Sequence, residues 1–183
     1  DTGSYRPVPQ RKQEGFMTAG QVMYVCRAGN FKKKGLPYKG TLRFLQMMMR
    51  YDYLWVNIRV KGGAYGCSCS FGRSGESGFS SYRDPNLKNT VDIYEKAAET
   101  VEKFTADERV MTQYIIGAVS EMDKPMNPAA YGLFSLSAYL CGISQEMLDQ
   151  ERTQLLGATQ EDIRELAAYI RAFMQDDFLC VVG

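Results

Sequence analysis

LWVNIRVKGGAYGCSCSFGRSGESGFSSY, residues 54–82, decides how the rest of the chain is read. Up to about Lys61 the stretch has the character of a helix end. Gly62 and Gly63 stop that helix, because glycine takes left-handed and extended backbone angles at little steric cost. Two glycine- and serine-rich segments follow, Ala64 to Phe71 and Gly78 to Tyr82, joined by a loop over 72–77. Their spacing suits a strand pair better than a helix. A ribbon of small residues lets another backbone approach closely, and Arg59 and Tyr65 stand on either side of the diglycine turn. Pro85 ends the second strand, since it has no N–H to give to a ladder.

Upstream, QVMYVC (21–26) is β-branched and apolar, which predicts a strand buried on both faces. The connector after it is turn-rich. Its Lys32–Lys34 run reads as a solvated loop, with a steering patch for an acidic partner as the alternative. A long helix is predicted from Pro37, whose missing N–H suits a first turn. Leu42, Leu45, Gln46 and Met49 share one face, continuing toward Tyr53, Val56 and Val60. Met47, Met48 and Met49 read as core filler, and Trp55 as core.

Downstream, a helix is predicted from Asn89 or Thr90, with Val91, Tyr94, Ala97, Ala98, Val101 and Phe104 at a 3.6-residue period. Thr105-Ala-Asp-Glu108 reads as a capping box with Thr105 at the N-cap. Asn127-Pro128 places a cap residue before an N1 proline, and Ser144 and Thr159 cap two further helices. The last helix, about 159–174, offers Ile163, Leu166, Ala167, Ile170 and Met174 to the core, and Phe178–Val182 closes the chain as a short buried strand. This order defines an α+β fold, a mixed or antiparallel sheet with helices packed on one face. Residues 1–19, bearing Pro7 and Pro9, read as a partly ordered lead-in, and 20–183 as one domain.

Composition bounds the function. The 183 residues, 45% hydrophobic and 12% aromatic, suit one good core. Lys+Arg 22 against Asp+Glu 21 argues against a dedicated nucleic-acid or anionic-membrane surface. The N-terminus has no initiating Met and no apolar signal core, and reads as the start of a piece of a longer chain. Five scattered cysteines, an odd number, read as reduced thiols. Cys67-Ser-Cys69 has metal-pair spacing but no second ligand pair near it. The chain has no histidine, so it cannot by itself build the usual catalytic zinc site, a Ser-His-Asp triad or a Cys-His dyad.

LWVNIRVKGGAYG with the later FSSYRDPNL resembles the C-terminal part of the presequence-protease branch of the insulinase-like (M16-type) zinc metallopeptidases. QVMYVCRAGNF and NTVDIYEKAAE are similar to the neighbouring segments of that branch, and the resemblance covers about residues 16–183. It implies two bowl-shaped halves enclosing a chamber, with zinc held in the first domain by an inverted His-x-x-Glu-His helix. This chain then corresponds to the last domain, without zinc of its own. The resemblance also implies that Arg59 and Tyr65 reach across the chamber to the peptide as catalytic and substrate-binding residues, with Gly63 beside the substrate. A Tyr hydroxyl can donate to a developing oxyanion, and the planar donor fork of Arg can hold a backbone carbonyl.

The implied function is the non-zinc-binding C-terminal domain of a peptidase that degrades unstructured peptides. Its partners would be a peptide and the N-terminal catalytic half, with no nucleic acid and no membrane. A bacterial cytoplasm is the expected compartment, with the mitochondrial matrix or plastid stroma as alternatives. A catalytically silent scaffold of the same superfamily is the second reading, and a free-standing module that pairs a peptide with its sheet edge is the third. On local sequence alone, the favoured reading of the diglycine turn is a helix C-cap leading into a sheet edge with no substrate contact, and Tyr82 and Arg83 read as structural.

Overall fold

Along Met23–Asn30 (β2), Val25 and Arg27 are buried while Tyr24 and Cys26, which alternate with them, are exposed. Period-two burial of this kind requires a sheet covered on one face only. The structure, a computed structural model, describes residues 13–183. Its sheet comprises Gln13–Phe16 (β1), β2, Gly66–Phe71 (β3), Glu76–Asp84 (β4) and Phe178–Val182 (β5). The spatial order is β1-β5-β2-β4-β3, with β1 parallel to β5 and the other pairs antiparallel. The sheet therefore reaches back into the stretch read as lead-in, while residues 1–12 of that stretch lie outside the described residues.

The helices are Leu42–Met48 (α1), Leu87–Glu102 (α2), Glu108–Met122 (α3), Pro128–Leu140 (α4), Gln145–Leu156 (α5), Gln160–Glu165 (α6) and Ala167–Met174 (α7). The chain is thus the predicted α+β layer. Phe79 of β4 sits at the centre of the core, fully buried, its ring 5.4 Å from that of Tyr94 (α2) and 5.1 Å from that of Phe173 (α7). Gly29 permits α7 to press on β2, since a Cβ there would stand 1.9 Å from the Phe173 carbonyl oxygen.

Several local expectations are corrected. β2 is dry on one face only, because no helix among the described residues covers the side that bears Tyr24 and Cys26. The long helix begins at Leu42, not Pro37. Residues before it run close against α5 and α7: the Gly40 amide donates to Gln154 Oε1 of α5 at 2.7 Å, and the Pro37 carbonyl accepts from the Tyr169 hydroxyl of α7 at 2.7 Å. Beyond Met48 the helix widens into π geometry over Met49–Val60, ending with the Lys61 amide bonded to the Val56 carbonyl. More residues per turn rotate the buried face onto Met49, Leu54 and Ile58, so Val60 is exposed and Trp55 lies at the surface.

α2 starts at Leu87 rather than at Asn89 or Thr90, and α3 is capped by Asp107, whose carboxylate accepts from Val110 N–H at 2.8 Å, not by Thr105. The caps at Asn127, Ser144 and Thr159 are as read, the last a full capping box with Asp162. The final helix breaks at Leu166 into α6 and α7, yet Ile163, Leu166, Ala167 and Ile170 are all buried. Replacing Phe79 by alanine removes the ring that joins sheet, α2 and α7. A loss of about 3–5 kcal/mol is expected in urea unfolding followed by circular dichroism.

Candidate functional site

The widened helix delivers Arg59 to its last turn, where the chain must reverse into β3. Gly62 packs so tightly that a Cβ would lie 2.5 Å from the Ile58 carbonyl oxygen. Gly63 follows with φ +81°, a left-handed angle that costs an L side chain strain, and its amide bonds the Arg59 carbonyl at 3.0 Å. Asn86 Nδ2 donates to the Gly62 carbonyl at 2.6 Å and ties the turn to the end of β4. The Tyr65 amide then bonds the carbonyls of Tyr82 and Arg83, at 3.1 and 3.3 Å.

These constraints bring Arg59 and Tyr65 together. The guanidinium donates from Nη1 to the Tyr65 carbonyl and lies 5.4 Å from the centre of the Tyr65 ring. It also stacks 4.2 Å over the Trp55 ring, within the range of a cation–π contact. One of its five N–H donors is therefore spent on a backbone carbonyl of this chain. The Tyr65 side chain is 62% exposed, and no described residue hydrogen-bonds its hydroxyl.

Sequence reading missed the neighbours of this pair. Tyr65 meets Tyr82 edge-on at 5.6 Å, and Tyr82 meets Tyr24 edge-on at 5.3 Å, giving a row of three tyrosines across the open face of the sheet. All three are exposed. Ser68, Ser80 and Gly78 share that face, so the ground in front of the tyrosines is low. The signal available was the alternation of Tyr82 with the buried Phe79 and Ser81; the β2–β4 register that sets Tyr24 beside Tyr82 was not readable. Gly63 shapes the turn but carries no side chain to the face. β3 forms one edge of the sheet.

The thiols of β3 do not suit a metal. Cys67 and Cys69 point to the helix-covered face, and burial pushes them up to about 11 and about 12 despite the opposing charges of Arg59 and Arg50. Metal ligation needs thiolate, which such burial disfavours. Among the described residues no group of three or more His, Cys, Asp or Glu side chains gathers as a metal site. The buried carboxylates are otherwise engaged. Glu151 is held bidentately by Arg73 at 2.7 and 2.6 Å, and Asp84 accepts from Thr90 Oγ1 and Asn86 N–H at 2.5 and 2.8 Å. Among the described residues no helix is long and apolar enough to cross a membrane.

A five-stranded α+β layer with helices on one face is the fold of peptidase M16-type domains. The chain matches the PreP C-terminal domain family over residues 13–182, and it belongs to that family. It is 41% identical over 173 residues to protein HypA of Clostridium perfringens, a match covering 94% of this chain and 18% of HypA. It is 33% identical over 160 residues to presequence protease 1, chloroplastic/mitochondrial, of Arabidopsis thaliana, covering 87% of this chain and 15% of that protein. The chain thus spans under a fifth of the length of these relatives. Among solved structures, the peptidase M16 inactive domain from Pseudomonas fluorescens superposes with a TM-score of 0.65 at 14% identity, over 92% of this chain and 41% of that one, and supports the fold.

With pKa values raised this far, roughly one thiol in a thousand or fewer is ionised near pH 8 at Cys67 and Cys69. Iodoacetamide at about that pH should leave both unmodified in the native protein while labelling the exposed Cys141, and labelling of Cys67 should rise as pH climbs toward its pKa. Peptide mapping by mass spectrometry reads the result.

Proposed function

We propose that this chain is the non-zinc-binding C-terminal domain of a zinc metallopeptidase that degrades unstructured peptides within a closed chamber. Family membership over residues 13–182, together with a half-buried Arg59 bonded to an exposed Tyr65 across a diglycine turn, supports this reading. When bound in the companion half, zinc supplies the Lewis acid for attack on the peptide carbonyl. The work of this chain is then positional and electrostatic. The Tyr65 hydroxyl donates to the oxygen on which negative charge builds, and the remaining donors of Arg59 hold a neighbouring substrate carbonyl. Trp55 limits the motion of the guanidinium, so less entropy is lost when the peptide is gripped. The diglycine turn keeps the backbone low beside the substrate, which is the part assigned to Gly63.

The proposed partners are a peptide of low structure and the N-terminal catalytic half. A bacterial cytoplasm is the proposed compartment, on the higher identity to the Clostridium relative, ahead of a mitochondrial matrix or plastid stroma. The test is Tyr65→Phe in the zinc-containing enzyme that includes this domain. Loss of one oxyanion donor should lower kcat about a hundredfold with zinc content unchanged. Near-normal kcat in that variant rejects Tyr65 as the donor. The isolated 183-residue chain should neither bind stoichiometric zinc nor cleave peptide, and zinc-dependent turnover by it alone would sink the assignment.

A further inference from the structure

The most conspicuous feature left unused by this reading is α4. None of its residues is buried, and Leu133, Leu140 and Tyr139 are 66%, 72% and 82% exposed. Between Lys124 and Glu146 the sequence contains no charged side chain. Tyr131, Leu133, Phe134, Leu136, Tyr139 and Leu140 fall on every side of the helix at about 100° per residue, and alanine, serine and glycine fill the positions between them. A Cβ built on Gly132 would meet nothing within 4 Å. The helix is nevertheless well specified, with Asn127 Oδ1 accepting from Ala130 N–H at 2.8 Å and Pro128 at N1. α3 adds Ile116, also exposed.

A helix that faces water normally carries charge on its outer side, whereas one that is apolar all round belongs inside a structure. That observation discriminates among occupants. A second copy laid against α4 would cover one side and leave the opposite side wet. A membrane surface suits a helix with a charged face, which this one lacks, and 13 residues span only about 20 Å of a core about 30 Å thick. An occupant that wraps the helix must be a folded unit with an uncharged groove. The relatives have room for such a unit on the same polypeptide, since this chain matches only 18% and 15% of their lengths.

We propose that α4 is a docking helix, inserted in the assembled enzyme into an apolar groove of another domain of the same polypeptide. The proposal rests on the reading that a companion portion accompanies this domain, but not on how Arg59 and Tyr65 act. Small residues between the large ones let the groove wall come close to the backbone, as interfaces of high complementarity require. Without the groove, a lone helix of this length is marginal in water, and docking supplies the missing packing.

The experiment uses HypA of Clostridium perfringens with its similar segment replaced by this chain, compared with the chain alone by hydrogen exchange and mass spectrometry. Amides over 126–143 should exchange at least ~10-fold more slowly in the chimera. Leu133→Glu with Leu140→Glu should abolish that protection while leaving the circular dichroism of the isolated chain over its sheet and remaining helices unchanged. As a second readout, HypA lacking its similar segment should bind the wild-type chain in trans, and the double variant should bind at least ~30-fold more weakly. Tyr65→Phe should leave docking intact, so loss of catalysis and loss of docking are read separately. Equal exchange in chimera and isolated chain overturns the proposal. So does a discrete dimer of the chain alone that the double variant dissolves, or α4-dependent binding to phosphatidylglycerol vesicles.

Discussion

α7 lies so close on β2 that the sheet has a dry side and a wet side, and the remaining architecture follows from that contact. The Phe173 backbone rests where Gly29 has no Cβ, and the Phe173 ring meets Phe79 and Phe71 from the same side. β2, β3 and β4 then divide their residues by parity. Val25, Arg27, Phe79, Ser81, Cys69 and Phe71 go under the helices, while Tyr24, Tyr82 and Ser68 are left outside. Fully buried rings and aliphatic chains on the inner face provide the apolar burial that stabilises a domain of this size. The outer face is free to meet something else, and that is where its tyrosines stand.

The junction of the widened helix with β3 sets the position of Arg59 and Tyr65. In a regular α-helix the buried face would have run on through Val56 and Val60; π geometry turns it instead toward Leu54 and Ile58 and leaves Trp55 and Arg59 outside. Two glycines then reverse the chain within one turn, and Asn86 fastens that turn to the far end of β4. Arg59 is consequently gripped from three directions, by the Trp55 ring, the Tyr65 ring and the Tyr65 carbonyl. A guanidinium held in this way has little freedom left to lose. The same domain leaves α4 exposed on all sides, so its surface carries two unlike regions: a polar aromatic face with a fixed cation, and an uncharged apolar rod.

Much of the fold was legible in short-range chemistry. The caps at Asn127, Ser144 and Thr159 are local hydrogen bonds between residues three apart, so sequence spacing alone locates them. The core stripe of α2, centred on Tyr94, Ala97, Ala98 and Val101, is a matter of period. Expectations failed where a distant segment competed. Pro37 does not begin a helix because the residues after it are held against α5, and Thr105 loses the cap to Asp107 next to an α3 whose approach is tied to Gln160 through the Ala106 amide.

The sequence by itself determined the fold class, the absence of histidine chemistry, the diglycine reversal and the pairing of Arg59 with Tyr65 across it. Each of these depends on residue identity or on neighbours within a few positions. Only the tertiary structure decided which face of β2 stays wet, that Trp55 supports Arg59 from outside the core, and that Tyr24, Tyr82 and Tyr65 line up although Tyr24 and Tyr82 lie 58 positions apart in the chain. Strand register and helix winding are set by contacts between segments far apart in the chain, and a period-two or period-3.6 pattern carries no information about which distant strand, or which turn geometry, will satisfy it.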